Sequence, residues 1–148
     1  MSKVIAEISM SLDGYVTARG ADQEHGLGIG GEAIHAWVLE EPRSPVDDAV
    51  LAHSFEETGA VVMGRRLYDI DQARATAGDK DVVVMGGANV IDQSLAARLV
   101  DELRIHLSPL VLGEGTRLFD LVGPTRLVQR EVITSPRATH LTYEVVRD

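Results

Sequence analysis

Two short apolar runs, each ending in glycine, constrain this chain more than any other feature of its sequence. Residues 60–64 are Ala-Val-Val-Met-Gly, and residues 81–86 are Asp-Val-Val-Val-Met-Gly. Both have the length of a strand, and neither alternates between apolar and polar residues. Such runs are typical of strands covered on both faces in a parallel sheet. They predict an α/β protein in which helices cover a mostly parallel central sheet.

The remaining patterns predict one domain over residues 1–148. The expected order is strand, helices, strand, helix, strand, helix, strand and a C-terminal antiparallel hairpin. Ser44 and Pro45 give a helix start, with serine as N-cap and proline at the first helical position. One face of this helix carries Val46, Ala49, Val50 and His53.

The hairpin is predicted from residues 126–134 and 139–146, which are joined by Ser-Pro-Arg. In its second strand, apolar residues alternate with His140, Thr142 and Glu144. A period of two is typical of an antiparallel strand with one face in water. These three side chains are therefore expected to be solvated.

Composition excludes several classes of protein. The formal net charge is −9 with no basic face, so nucleic acid is not expected as a partner. There is no cysteine, and the five histidines lack a ligand spacing, so no metal site is expected. No stretch approaches the ~20 apolar residues of a membrane span, and the amino terminus does not resemble a signal peptide. We expect a cytoplasmic protein without a membrane partner.

The second apolar run leads into Gly86-Gly87 and then into a helix pattern. Two glycines at the carboxyl end of a strand let the backbone approach a ligand closely. The N–H groups of the following helix then favour an anion such as phosphate. From this motif alone, a tight turn without a ligand is an equally good interpretation.

The first apolar run ends in Gly64 and is followed by Arg65 and Arg66. Guanidinium groups suit phosphate oxygens and stack on adenine rings, although a solvated charge pair gives the same pattern. Residues 26–31 also fit G-x-G-x-x-G, but polar residues precede them where a dinucleotide-binding motif needs a strand. We interpret that segment as a flexible loop.

Taken in order, five motifs resemble the dihydrofolate reductase-like proteins, and most closely the group sharing the RibD C-terminal domain of riboflavin biosynthesis. They extend over nearly the whole chain and occupy residues 10–16, 62–66, 84–89, 100–105 and 113–115. The resemblance implies a three-layer α/β fold with NADPH as hydride donor, a riboflavin-precursor or pterin-like substrate, and frequently a homodimer.

The resemblance also implies roles for individual residues. Ala6, Gly14 and Val16 would lie near the nicotinamide, with Asp13 in the same segment. Gly64, Arg65 and Arg66 would hold the phosphates and the adenosine side. The pyrophosphate would pass against the strand end and the helix N-terminus, at Gly86, Gly87, Ala88, Asn89, Val90 and Ile91.

Two departures from the family pattern concern the adenosine side. Leu67 stands where relatives usually carry threonine, and only the 19 residues from 67 to 85 separate the Gly64–Arg66 motif from Gly86. Relatives place a further strand, a helix and another cofactor contact in that interval. Residues 71–78 resemble the end of a helix with no start before it, which predicts that residues are missing between Ile70 and Asp71.

The proton donor and the substrate contacts are the least constrained parts of this prediction. Asp13, at a strand end beside a glycine turn, is the first candidate for the catalytic acid, and Glu40 and Glu41 are alternatives. Trp37 either borders the substrate pocket or fills the core. The leading hypothesis is an NADPH-dependent reductase. The alternatives are a non-catalytic nucleotide-binding or dimeric module on the same fold and an unrelated phosphate-binding α/β enzyme.

Overall fold

A computed structural model describes residues 2–63 and 69–147 of the chain. Its main sheet has six strands in the order β3-β4-β1-β5-β8-β7. Their bounds are β1 Val4–Ser11, β3 Thr58–Val62, β4 Asp81–Val84, β5 Glu102–Ser108, β7 Leu127–Thr134 and β8 Thr139–Val145. Strands β3, β4, β1 and β5 are parallel, whereas β8 runs antiparallel to β5 and β7. The predicted mostly parallel sheet with a C-terminal antiparallel hairpin is confirmed.

Helices cover both faces of this sheet, so the predicted three layers are also present. They are a 3-10 helix Gly31–His35 followed by α1 Ala36–Leu39, then α2 Pro45–Glu57, α3 Asp69–Ala77 and α4 Ala88–Ala96. On one face, Val4 and Ala6 of β1 pack with Val90 and Ile91 of α4 in the main core. On the other face, side chains of β1 meet α1 and α2. A small second sheet pairs β2 Tyr15–Thr17 with β6 Thr116–Arg117.

Helix α2 begins where its local sequence predicts. The Ser44 hydroxyl accepts a hydrogen bond from the Asp47 amide at 3.1 Å, and Pro45 is the first helical residue. Its predicted apolar face, however, does not pack into the main core. Val46, Ala49 and Val50 instead line an open cleft between α2 and the sheet, because polar side chains of the sheet lie beneath the helix.

Helix α3 runs through the Ile70–Asp71 junction, with Ile70 buried, and Gly78 follows it at φ +63°. The predicted helix end at glycine is confirmed. That further residues stand between Ile70 and Asp71 stays a prediction. The intact mass of the protein from its native source would test it.

Candidate functional site

The carboxyl ends of four parallel strands meet at one edge of the sheet, which we call the carboxyl edge. It is formed where β3, β4, β1 and β5 end at Val62, Val84, Ser11 and Ser108. In open α/β sheets, ligands bind in the crevice outside this edge, against the loops that follow the strands. Of the predicted site residues, Asp13, Gly14, Gly86 and Gly87 lie in these loops.

Gly86 and Gly87 form the turn between β4 and α4. Their φ angles are +108° and +131°, a region that favours glycine. Gly87 is the N-cap of α4, and among residues 2–63 and 69–147 no side chain caps this helix and nothing lies within 4 Å of a Cβ built on Gly87. Two features expected of a phosphate cradle therefore coincide: an uncapped helix N-terminus and open space in front of its backbone.

The first turn of α4 presents its backbone rather than its side chains. Ala88, Val90 and Ile91 are buried in the core. The exposed Asn89 accepts a hydrogen bond from Gln93 through its Oδ1 atom at 2.9 Å. The N–H groups of Ala88, Asn89 and Val90 could hold an anion, whereas the Ile91 N–H already donates to the Gly87 carbonyl at 3.4 Å.

The structure places the predicted nicotinamide residues in β1, in the turn that follows it and in β2. Ala6 is fully buried in β1 and pairs with Val84 of β4, two residues before Gly86. Gly14 turns the chain at φ +89° after β1, and Val16 is buried in β2. Ala6 thus lies on the strand next to β4, which leads into the glycine pair. Gly64, Arg65 and Arg66 lie outside the described residues, directly after β3, and their role stays a prediction.

Asp13 links the turn after β1 to the loop after β5 at the carboxyl edge. Its Oδ1 atom accepts hydrogen bonds from the Ser11 hydroxyl at 2.5 Å and from the Leu112 amide at 3.1 Å, and its Oδ2 atom accepts one from the Gly113 amide at 2.8 Å. The Ser11 hydrogen bond, with further help from the two amides, lowers the pKa of Asp13 below its ordinary value. These contacts describe a positioning residue, and a carboxyl group with a lowered pKa is ionised near neutral pH and has no proton to donate.

Replacing Asp13 by asparagine is expected to loosen the loop at residues 110–113 while leaving β1 intact. Asparagine offers one acceptor oxygen, so it cannot hold both the Leu112 and Gly113 amides as the carboxylate does. Hydrogen exchange of these two amides, followed by NMR, should become faster than in the wild type. Asp22→Asn is the matched control, because Asp22 accepts amides only within its own exposed loop. Unchanged exchange in Asp13→Asn would contradict the positioning role.

The alternative proton donors are solvated side chains. Glu40 is 65% exposed and pairs with Arg137 at 3.6 Å. Glu41 is 71% exposed and pairs with Arg43 at 3.4 Å. Neither has a described contact with the loops at the carboxyl edge.

Trp37 lies in the interior, with only 3% of its surface exposed. Its indole Nε1 donates to the Ser9 hydroxyl at 3.0 Å. Its ring lies 4.4 Å from the His106 ring and 4.8 Å from the His140 ring, centroid to centroid. Of the two predicted positions for Trp37, the core position is the one that the structure shows.

Sequence reasoning missed a buried polar cluster beneath Trp37, which we call the buried histidine cluster. It consists of Glu7, His106, His140 and Asp47, all less than 9% exposed. Glu7 Oε1 contacts His106 Nε2, the two histidines meet through their Nδ1 atoms, and His140 Nε2 contacts Asp47 Oδ1, each at 2.7 Å. The prediction that His140 faces water is wrong, because α1 and α2 cover that face of the hairpin.

Burial and hydrogen bonding act in opposite directions on this cluster. Burial is the largest influence and raises the pKa of Glu7 and of Asp47, but hydrogen bonds and positive charges, led by His106 and His140 respectively, together outweigh it, and both pKa values lie below their ordinary range. Burial lowers the pKa of His140, only partly offset by Asp47. Both carboxyl groups are therefore ionised near neutral pH.

The open cleft beside this cluster measures about 910 Å³ and lies between α2 and the sheet. Glu7, Arg104 and His140 contribute to its floor, and Lys3 and Asp81 mark its lower end, where β1 and β4 begin. The cleft is thus reached from the amino ends of the strands. It is a different opening from the one at Gly86-Gly87.

No helix among residues 2–63 and 69–147 is long and apolar enough to cross a bilayer. Within the same residues, no group of three or more His, Cys, Asp or Glu side chains has the arrangement of a metal site.

Comparison with known sequences matches the C-terminal half of the chain. Residues 72–141 fit the family model of the RibD C-terminal domain. A stretch of 53 residues is 40% identical to the uncharacterized protein YyaP of Bacillus subtilis strain 168. That stretch covers 36% of this chain and 28% of the relative's length.

Solved structures resemble the whole chain. A protein assigned to riboflavin biosynthesis in Shewanella sp. PV-4 has a TM-score of 0.70 at 20% identity, over 98% of this chain and 99% of that one. The deaminase/5-amino-6-(5-phosphoribosylamino)uracil reductase of Thermotoga maritima gives 0.63 at 12%, over 98% and 57%. The riboflavin biosynthesis reductase of Saccharomyces cerevisiae gives 0.56 at 14%, over 99% and 89%. These likenesses establish the fold.

Proposed function

The chain is a RibD C-terminal-like protein with the dihydrofolate reductase-like fold, and from this premise we propose that it is an NADPH-dependent reductase. Its substrate would be a small heterocyclic or carbonyl compound, of the riboflavin-precursor or pterin-like kind that the reductases among its structural relatives suggest. The proposal also includes a homodimer. Exposed Leu127, Val128 and Val132 on the edge strand β7 support it, and sedimentation equilibrium would test it.

The observation that carries this proposal is the open backbone at Gly86-Gly87. The uncapped N-terminus of α4 offers N–H groups and a positive dipole end to a pyrophosphate. A side chain at Gly87 would project into the space that the phosphates need. The residues present therefore fit the phosphate part of a dinucleotide.

The described residues supply positioning in this account. When bound, NADPH would provide the hydride, and the protein must hold the nicotinamide against the acceptor and exclude water. Ala6 in β1 lies beside β4, the strand that leads into the glycine turn, and the Gly14–Val16 segment would complete the nicotinamide side of the site. Asp13 fixes the loop at residues 112–113.

Arg65→Ala and Arg66→Ala are expected to weaken NADPH binding more than NADH binding. A charge-assisted hydrogen bond contributes roughly 1.5–3 kcal/mol, so the arginine that meets the 2′-phosphate should account for about tenfold or more. Titration calorimetry with both cofactors measures the difference. Arg130→Ala is the control. Arg130 pairs with Glu144 and lies on β7, at the opposite edge of the sheet from β3. Equal losses for NADPH and NADH would remove 2′-phosphate recognition from the proposal.

One observation favours the second candidate, a non-catalytic nucleotide-binding module. Asp13, the first candidate for the proton donor, already accepts three hydrogen bonds and has a lowered pKa. Binding without NADPH oxidation across a panel of pterins, flavin precursors and quinones would support this module over the reductase.

The experiment that tests the proposed function uses the single tryptophan. Reduced nicotinamide absorbs where indole emits, so bound NADPH should quench the emission of Trp37 by energy transfer. We expect saturable quenching, followed by NADPH oxidation when the correct substrate is added. The absence of any binding at millimolar NADPH would contradict both the reductase and the nucleotide-binding module.

A further inference from the structure

The buried histidine cluster joins four elements of the fold. Glu7 lies in β1, His106 in β5, His140 in β8 and Asp47 in the first turn of α2. Helix α2 is held to the sheet at a second point, where the Ser54 hydroxyl donates to Glu7 Oε2 at 3.1 Å. Two polar attachments between α2 and this face of the sheet thus pass through the carboxylates of the cluster, and a third joins Glu57 of α2 to Arg104 of β5 at 3.2 Å.

The distances within the cluster fix its number of protons. A contact of 2.7 Å between two Nδ1 atoms requires one hydrogen between them. With no hydrogen there, two lone pairs would face each other, and with two, the N–H groups would collide. Each Nε2 atom also needs a hydrogen to donate to its ionised carboxylate. Three protons therefore occupy four ring nitrogens, one more than in two neutral imidazoles.

Other charged or titratable groups surround this pair of rings. Arg104 of β5 interacts with Glu7, and His35, at the end of the 3-10 helix, is close enough to His106 for the two to oppose each other's protonation. Glu57 of α2 pairs with Arg104. From β7, Arg130 and Glu131 line the neighbouring cleft.

Asp47 explains why the shared proton would be retained, although burial lowers the pKa of His140. The Trp37 ring packs against both imidazoles and keeps water from them. Asp47 is fully buried, and its Oδ2 atom has no hydrogen-bond partner in the part of the chain that the structure describes. A buried carboxylate depends on a nearby positive charge, which the histidine pair can supply only while it holds the extra proton.

We propose that His106 and His140 share a single proton that latches α2 to the sheet, and that gaining or losing a proton loosens this helix. The latch is a conformational device that acts beside the α2 cleft. It is independent of the proposed reductase activity, because neither histidine belongs to the carboxyl edge.

The proposal predicts that the contribution of the histidine pair to the free energy of unfolding passes through a maximum as pH is varied. In the unfolded chain, two free histidines together hold one extra proton at about pH 6.5, more below that pH and fewer above it. The folded pair holds one throughout. The unfolded state therefore gains protons relative to the folded state as pH falls, and loses them as pH rises, so stability declines on both sides. Relative to its value at about pH 6.5, the pair's contribution to the folding equilibrium constant should be about threefold smaller at pH 5.5 and at pH 7.5.

The test compares the wild type with the double variant His106→Gln/His140→Gln. Free energies of unfolding are measured by urea denaturation between pH 5.5 and 7.5, and the difference between the two proteins cancels the contributions of the exposed His25 and His53. We expect a maximum near pH 6.5 in that difference. A steady fall with decreasing pH would mean that both rings are neutral in the fold, and a steady rise would mean that both are charged. Either result overturns the proposal.

A second measurement stays decisive if the double variant does not fold. Imidazole 15N spectra of the wild type with labelled histidine should show three N–H protons on these two rings from pH 5.5 to 7.5, one of them a strongly downfield proton between the Nδ1 atoms. Trp37 emission should stay constant over the same range, because a cationic imidazole quenches an adjacent indole and the pair keeps its charge. Two rings with one proton each would overturn the latch. His53→Gln, at an exposed site, should change neither signal.

Discussion

Replacing Gly87 by valine is expected to lower the affinity for NADPH at least about a hundredfold and to leave a folded protein. The backbone at Gly87 has φ +131°, which a β-branched residue resists, and the new side chain would occupy the open space before α4. Losing two charge-assisted amide–phosphate contacts, at roughly 1.5–3 kcal/mol each, accounts for a factor of this size. Titration calorimetry with NADPH measures it.

Gly78→Val is the matched control for this experiment. Gly78 also has a positive φ, +63°, with nothing within 4 Å of a built Cβ, but it lies before β4 rather than after it. Both variants should lose about 1–3 kcal/mol of stability through backbone strain. Only Gly87→Val should lose affinity for NADPH. Wild-type affinity in Gly87→Val would show that the glycine pair is a turn without a ligand.

Replacing His140 by leucine is expected to destabilise the protein by about 3–5 kcal/mol, because it removes the imidazole that pairs with a buried carboxylate. Asp47 has no exposed surface, and His140 Nε2 contacts its Oδ1 atom at 2.7 Å. The Glu7 end of the cluster would also lose the ring that shares a proton with His106. Urea denaturation and thermal unfolding at pH 7 measure the loss.

His53→Leu provides the comparison for this variant. The side chain of His53 is 64% exposed and meets Glu57 at 3.3 Å on the surface of α2. Exposed ion pairs contribute about 0–1 kcal/mol, so this variant should stay close to the wild type. If His140→Leu were no more destabilising than His53→Leu, the cluster would not hold α2 to the sheet.

Features that depend on neighbouring residues could be predicted from the sequence. The run at residues 81–84 forms a strand because successive apolar side chains suit a sheet covered on both faces. Ser44 and Pro45 start α2 because the cap and the proline act within one turn. Gly86 and Gly87 form the β4–α4 turn for the same local reason.

The histidine cluster could not be predicted, because its contacts join residues that are 34, 93 and 99 positions apart. The alternating pattern in β8 indicates one polar face, and nothing local shows that α1 and α2 cover it. The same limit applies to Asp13. Its position at a strand end is visible in the sequence, whereas its ties to Leu112 and Gly113 depend on the register between β1 and β5. The apolar face of α2 indicates a helix but not the cleft that it lines.

The most direct test of the central claim is an NMR titration of the backbone amides with NADPH. The account predicts saturable shifts at Gly86, Gly87 and the first turn of α4, and at the Gly14–Val16 segment. The amides around the α2 cleft, such as those of Ser54 and Thr142, should change little. No shifts at millimolar NADPH, or shifts confined to the α2 cleft, would contradict a cofactor site at the carboxyl edge of the sheet.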